Sequence, residues 1–583
     1  MPDQARSERV TQDRLAAFFT KEENQGGLGY HLLGDWSGRV GNRCVEPELL
    51  RTNLLERGYS AEHASAALER LSAATDTTGI TLYKASLRTY TLLRYGVAVQ
   101  VAAGVPHDTV QLIDWAHPER NNFALAEEVT LKGGHERRPD IVLYVNGIAV
   151  AVIELKRSSV EVADGVRQLI TNQEPIFNEA FFPTVQLLLA GNDSQGLRYG
   201  TVTTREEFFV QWKADPLPKG IPVPPGAMLD RPIAEICEKK RLLDLIRNFV
   251  IFDNGIKKVP RQHQYVGVTL AQQRMARQEG GVIWHTQGSG KSILMVLLAK
   301  WVLENDPHAR VLIVTDRDEL DKQIEGVMKN SGAVPDDAPS PRVTTRAEFI
   351  AKLGSANPRL LCALIHKFDP ADLNGPPPLV HGRFYVFVDE CHRTQGGDMN
   401  RQMKRWLEGA IFIGFTGTPL LRKDRQTTRE VFGTYIHTYK FHEAVADKVV
   451  LDLKYEARDV PQRITSPQAI EAYFERKTRA LNNFQRAVLR RRWATMQELM
   501  SAGERKQRII FSIAQDFDLK PRLNNDRGTA ILVASNIYDA CHYFRLLQNT
   551  SLGSHCGIVT SYEPKHNAIS REPHNSDERY KFD

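Results

Sequence analysis

The sequence contains no run approaching the roughly 18 uninterrupted apolar residues that a membrane-spanning helix needs. Its start, Met1-Pro2-Asp3-Gln4-Ala5-Arg6, lacks the apolar core of a signal peptide. Both absences point to the cytoplasm and away from a membrane. Cysteine is scarce: the six present (Cys44, Cys237, Cys362, Cys391, Cys541 and Cys556) lie far apart with no C-x-x-C pair. That excludes a disulfide framework and a zinc finger, and predicts reduced, structural thiols. An excess of one charge is also missing. The 76 Lys and Arg against 70 Asp and Glu leave a net +6 over 583 residues, too mild for a chain coated in nucleic acid but suited to a basic groove on a mixed surface. There is no internal repeat and no low-complexity tract. With 42% hydrophobic and 25% charged residues the chain is globular, and its length predicts roughly four domains or subdomains.

Pro216, Pro218, Pro222, Pro224 and Pro225 crowd a short stretch after Trp212, as in an extended linker, and mark a domain break. Upstream, helical stretches give way to two β-rich runs, Asp140 to Val145 and Ile148 to Leu155, joined by the hairpin signal Asn146-Gly147, which predicts an α/β domain around a small sheet. Downstream, apolar runs at Gly281 to Trp284, Arg310 to Thr315, Phe384 to Val388, Ala410 to Phe415 and Ala530 to Ala534 alternate with helix-length segments, as buried strands of a doubly wound parallel sheet do. Ser466 to Met500 reads as a long polar helix. Its Arg490, Arg491 and Arg492 beside Trp493 fit a solvated face better than a nucleic-acid contact. The loops Pro335 to Pro341 and Gly375 to Pro378 read as surface insertions.

The strand ending at Trp284 runs into His285-Thr286-Gln287-Gly288-Ser289-Gly290-Lys291-Ser292 and then a helix over Ile293 to Leu303. Small residues there let backbone N–H groups of Thr286, Gly288, Ser289 and Gly290 close around phosphates. Lys291 adds a charge and the Ser292 hydroxyl can ligate Mg²⁺. His285 replaces the first glycine of the usual pattern, but strand before and helix after restore the reading. About a hundred residues on, the strand Phe384 to Val388 ends in Asp389-Glu390-Cys391-His392 at the carboxyl edge of the sheet, where ligands of open α/β sheets bind. Asp389 can hold Mg²⁺ and Glu390 can take the proton of the attacking water. An isolated Asp-Glu would be two solvated acids closing a strand, and the pairing with Lys291 favours the functional reading. His392 is read as a coupling residue rather than a metal ligand.

These blocks resemble superfamily 2 helicases and translocases. Gln264, in Arg261-Gln262-His263-Gln264, resembles the adenine-reading glutamine. Thr315-Asp316-Arg317 resembles motif Ia, which implies DNA-backbone contacts by Thr315 and Arg317. Thr416-Gly417-Thr418-Pro419 is similar to motif III, which implies that Thr416 and Thr418 link ATP state to the DNA track.

Upstream of the linker, Asp140 precedes one strand and Glu154-Leu155-Lys156 closes the next. Two carboxylates that hold Mg²⁺ and a lysine that positions the nucleophile are what metal-dependent phosphodiester cleavage requires. Exposed acids at strand ends are the alternative. Glu154 and Lys156 share a face, being two apart. A two-residue hairpin loop would pair Asp140 with Ile153 and send the two acids to opposite faces. A three-residue loop or an equivalent bulge pairs Asp140 with Glu154, and the site requires this second arrangement.

Arg138-Pro139-Asp140 through Val152-Ile153-Glu154-Leu155-Lys156, with Leu28-Gly29-Tyr30, Leu33-Gly34-Asp35-Trp36, Arg198-Tyr199-Gly200-Thr201 and the non-glycine start of the phosphate loop, closely resembles type I restriction enzyme R subunits. The resemblance extends over nearly the whole chain. It implies a PD-(D/E)xK endonuclease domain over 1–213, a Pro-rich linker and connecting helix over 214–258, RecA-like motor domain 1 over 259–457, and a helical segment with part of motor domain 2 over 458–583. Gln168 fits the first position of the family's Q-x-x-x-Y element, whose tyrosine position is Asn172 here. Glu8 resembles an N-terminal acid that supports such metal sites, with a solvated helix-start glutamate as the alternative. Ala530 to Ala534 and Ile558 to Ser561 read as strands of the second lobe, and motifs V and VI have no counterpart, which predicts an N-terminal fragment or truncated gene product that binds nucleotide without coupled hydrolysis.

The implied function is a type I site-specific deoxyribonuclease, dependent on ATP and Mg²⁺. Bound to modification (methyltransferase) and specificity subunits, it would translocate unmethylated double-stranded DNA and cut away from the recognition site. Two other readings stay open: a stand-alone helicase-nuclease of repair or phage defence, and a non-hydrolysing nucleotide-dependent DNA clamp.

Overall fold

The computed structural model describes residues 8–101, 104, 106–213, 228–315, 325–326, 340–368, 376–391, 398–418, 432–458, 502–520, 523 and 528–559, together with isolated positions between 472 and 487. They form two compact units, Met1–Asp452 and Leu453–Asp583. The fold is multidomain α/β, with one mixed and one wholly parallel sheet in the first unit. No helix among the described residues is long and apolar enough to cross a membrane.

The mixed sheet has seven strands rather than the few expected, in the order His31–Asp35, Phe123–Glu127, Ile141–Val145, Ile148–Leu155, Leu187–Asn192, Gly196–Gly200 and Val210–Gln211. The two central strands are buried on both faces, so their sequences are continuous apolar runs without alternation. Asn146 (φ 52°) and Gly147 (φ 79°) make a two-residue turn of the kind that matches strand twist. A Cβ on Gly147 would lie 2.7 Å from that of Leu49, so glycine also admits the neighbouring helix Pro47–Glu56. The register then shifts: Val145 faces Ile148 and Tyr144 faces Ala149, but Leu143 faces Ala151 and Ile141 faces Ile153. Val150 is the extra residue of a β-bulge, and continuing the shifted register sets Asp140 opposite Glu154.

The parallel sheet runs Leu360–Leu364, Ala309–Thr315, Arg383–Val388, Ile411–Thr416, Gly281–His285 and Tyr435–Tyr439. Four of these follow the expected apolar runs to within a residue or two. Leu360–Leu364 and Tyr435–Tyr439 are additional. One apolar core runs without a break from Leu15 and Ile153 through Tyr199, Trp212, Phe249 and Tyr265 to Ile283 and Ile413, so the two sheets share a single packed interior. Trp212 is anchored there by its indole N–H on Glu235 Oε2 (2.7 Å), and Tyr199 donates to the Pro260 carbonyl (2.7 Å).

The second unit contains the helices Ala502–Leu519 and Ile537–Gln548, tied by Lys506 to Asp539 at 2.6 Å. The strand expected over Ala530 to Ala534 is not formed: the segment pairs with no strand among the described residues, and Ile531 and Val533 are exposed. An apolar run becomes a strand only where a neighbour takes its backbone hydrogen bonds. Ile558 and Val559 likewise form no strand, and Thr560 and Ser561 lie outside the described residues. So do Pro216 to Pro225, Pro335 to Ala338, Pro339 and most of Ser466 to Met500.

Candidate active sites

The bulge brings Asp140, Glu154 and Lys156 together at the edge of the mixed sheet. Asp140 Oδ2 accepts the Leu155 backbone N–H at 2.6 Å, while Lys156 Nζ donates to Glu154 Oε1 at 2.7 Å and to the Leu155 carbonyl at 2.9 Å. The carboxylates are almost sealed, at 7% and 1% exposure, and Lys156 is half-buried. Burial, and for Glu154 the neighbouring Asp140 charge, push the two acids up to about 7 and about 8. Glu154 Oε2 is buried without a hydrogen-bond partner. A lone acceptor of this kind, beside a second carboxylate, fits a hard divalent cation with oxygen preference.

The helix Val162–Thr171 crosses the pair at Gly165, where a Cβ would lie 3.4 Å from Lys156 Cγ and 3.6 Å from Glu154 Cγ. Gln168 is half-buried one turn further along that helix. Asn172 lies at the helix end, fully buried, and neither atom of its side-chain amide is hydrogen-bonded. Glu8 opens the helix Glu8–Thr20, and its charge opposes ionisation of both Asp140 and Glu154. The same helix supplies Gln12, which sequence reading missed: its Nε2 donates to the Asp140 carbonyl at 3.2 Å and to Glu127 Oε1 at 3.3 Å. Nothing in the sequence marks a contact between residues so far apart.

In the parallel sheet, the strand Ile411–Thr416 lies between Gly281–His285 and Arg383–Val388, so Thr416, the phosphate loop and Asp389-Glu390 emerge side by side at the carboxyl edge. Gly288 (φ 81°) and Gly290 (φ 88°) hold the left-handed turns of the loop, and the helix Lys291–Asn305 starts at Lys291. Ser292 is half-buried in its first turn. Thr286 donates its backbone N–H to the Tyr439 carbonyl at 2.9 Å, and Ser289 Oγ donates to the Thr286 carbonyl at 2.6 Å. A Cβ on Gly417 would stand 2.8 Å from Lys291 Nζ, which places the Thr416–Thr418 turn against the lysine. Glu390 adopts φ 42°, uncommon for a side-chain-bearing residue, and accepts the Gly417 N–H at 3.4 Å. Thr418 N–H donates to Thr416 Oγ1 at 3.3 Å. Gln264 divides its amide between the loop and its own helix start, with Nε2 donating to the Ser289 carbonyl at 3.2 Å and Oε1 accepting from Arg261 N at 2.8 Å. Beside it a cavity of about 660 Å³ is lined by Arg261, Gln262, His263 and Tyr439 with Phe209 and Lys213. Thr315 closes the strand Ala309–Thr315, while Arg317 and His392 lie outside the described residues.

Comparison with known proteins matches residues 20–208 to the family described as type I restriction enzyme R protein N terminus, and residues 263–487 to that described as SWI2/SNF2 ATPase. The endonuclease subunit of the type I restriction enzyme HindI, from Haemophilus influenzae, is 28% identical over 77% of this chain and 45% of its own. The putative MjaIXP endonuclease subunit of Methanocaldococcus jannaschii is 25% identical over 83% of this chain and 49% of its own. Together these matches make the chain similar to type I restriction enzyme R proteins over most of its length. It spans about half the length of these R-protein relatives. The UvsW helicase of bacteriophage T4 aligns with TM-score 0.25 at 14% identity, over 33% of this chain and 64% of that one, a likeness too slight to bear on the fold.

The raised acids of the first site give a pH prediction. A cation displaces protons from groups that hold them near neutrality, so with both acids raised Mn²⁺ affinity should fall by about fiftyfold as pH drops from about 7 to 6, with proton uptake on metal removal. The metal-free fold behaves oppositely. Below about 8 the folded acids retain protons that the unfolded chain has released, so acidification stabilises it and alkaline pH does not. Calorimetric titration in two buffers of different ionisation heat measures both the affinity and the protons. A pH-independent affinity would contradict this account.

Proposed function

We propose that the chain is the cleaving and motor part of a type I restriction-modification enzyme acting on double-stranded DNA with Mg²⁺ and ATP. The observation that carries the nuclease half is the Val150 bulge, which sets Asp140 opposite Glu154 beside Lys156 instead of dispersing them across the sheet. Mg²⁺ held by Asp140 and Glu154 would lower the pKa of a water and offset charge on the leaving group. Lys156 Nζ orients that water and steadies the developing negative charge, and Gln168, one helical turn beyond Gly165, contacts the substrate backbone.

In the motor half, the backbone of Thr286, Gly288, Ser289 and Gly290 cradles the phosphates, with Gln264 bracing the loop. Lys291 neutralises charge on the β- and γ-phosphates, Ser292 and Asp389 hold Mg²⁺, and Glu390 accepts the proton of the attacking water. Thr315 and Arg317 track the DNA backbone, and Thr416, Thr418 and His392 relay nucleotide state. Modification and specificity subunits supply the recognition of unmethylated sites, in the cytoplasm. The H. influenzae and M. jannaschii relatives, named as endonuclease subunits of such enzymes, support this reading.

The test is cleavage of supercoiled plasmid by the purified chain with Mg²⁺ or Mn²⁺, beside its Glu154→Ala variant and again with the modification and specificity subunits added. Nicking by the intact chain alone is the expected result. Equal nicking by the variant, or none by either protein in the reconstituted complex, would remove the nuclease reading.

A further inference from the structure

Behind the phosphate loop lie three histidines that no phosphate contact explains. His285 occupies the loop's first position, fully buried, and its Nε2 lies 2.7 Å from His437 Nδ1 on the neighbouring strand Tyr435–Tyr439. Its other nitrogen finds no hydrogen-bond partner. Gly267 makes room for the ring, since a Cβ there would come within 3.1 Å of His285 Cε1. His263, also buried, sets its Nε2 3.1 Å from the Ser289 carbonyl and stacks on Tyr439 at 3.8 Å and 5°. A carbonyl only accepts, so His263 Nε2 carries the proton and donates. Tyr439 in turn receives the Thr286 N–H. The loop is thereby gripped at Thr286, His285 and Ser289 by side chains and backbone from two flanking elements.

We infer that His263 and His437 are positioning residues that set the phosphate loop for nucleotide, His263 through the Ser289 carbonyl and His437 through His285. Neither belongs to the phosphate loop or to the Asp389-Glu390 block, and the inference rests on the nucleotide-binding reading of the Lys291 loop. The geometry makes a residue-specific demand. His263 acts through its far nitrogen, which the amide of glutamine can reach and that of asparagine cannot. His437 acts through its near nitrogen, where asparagine places its amide and glutamine overshoots.

Binding of a fluorescent ATP analogue with Mg²⁺ to the full chain therefore separates four variants. His263→Gln and His437→Asn should bind within about threefold of the wild type, whereas His263→Asn and His437→Gln should bind at least about tenfold more weakly, the loss expected when a buried hydrogen-bonding group goes unpaired. A shared thermal midpoint across the four confirms that the comparison is between folded proteins. Should glutamine and asparagine prove equivalent at both positions, or all four variants bind like the wild type, the inference is overturned. Lys291→Ala is the control for the underlying reading: if it binds as well as the wild type, nucleotide does not use this loop and the inference falls with it.

Discussion

Lys156→Ala should lower metal-dependent DNA cleavage by about a thousandfold while leaving nucleotide binding at the Lys291 loop unchanged. Lys156 Nζ is the one cation within hydrogen-bond reach of Glu154 among the described residues, 2.7 Å from Oε1, and it is half-buried, so water replaces its charge poorly. Removing it takes away a positive charge where negative charge grows during phosphodiester hydrolysis. It also leaves the buried Glu154 carboxyl more reluctant to ionise, so the variant should need more metal as well as turning over more slowly. Lys156→Arg restores charge with a planar, wider head and should recover only part of the rate. The cleavage rate at saturating Mn²⁺, set beside the Kd of a fluorescent nucleotide, checks both halves. Parallel loss of cleavage and nucleotide binding would mean that the substitution acts on the shared interior rather than on the nuclease chemistry.

Arg310→Met should destabilise the first unit by about 3–5 kcal/mol, an effect on the fold rather than on chemistry. Arg310 is 2% exposed and has no carboxylate partner among the described residues; its guanidinium instead donates to the carbonyls of Leu353 (2.9 Å), Lys352 (2.7 Å), Pro358 (3.0 Å) and His381 (3.1 Å) and lies over Phe384. Two of those carbonyls end the helix Arg346–Leu353, whose last acceptors have no partner within the helix. Burial without a counter-charge lowers its pKa to about 10. Methionine fills similar space but donates nothing, so the Pro358 and His381 carbonyls lose their side-chain donor, while those of Leu353 and Lys352 keep the backbone N–H groups of His381 (2.9 Å) and Ser355 (3.4 Å). Lysine, with one ammonium in place of the fork, should fall between the two. Urea unfolding followed by tryptophan fluorescence measures this, and a loss below about 1 kcal/mol would show that water replaces the guanidinium.

Much of this protein was legible as a string. Phosphate loops need glycine at left-handed turns, so Gly288 and Gly290 betray the loop before any coordinates do, and buried parallel strands announce themselves as unbroken apolar runs. Asn146-Gly147 likewise marks its hairpin because few residues accept two successive positive φ angles. The segment Ala530 to Ala534 shows the limit. The same apolar signal forms no strand there, since a strand is completed by its neighbour and not by its own residues.

The residue types of both sites, their order and their strand ends were therefore determined by the sequence alone, because backbone conformation and burial leave local signatures. Only the tertiary structure decided whether Asp140 faces Glu154, since a single extra residue at Val150 reverses the answer and no local preference dictates where a bulge falls. Only it decided, too, that Gln12 supports Asp140, that His263 and His437 brace the phosphate loop and that Arg310 ties together four carbonyls from three distant segments. Each of those contacts joins positions remote in the chain. Their energies belong to packing, which no window of sequence contains.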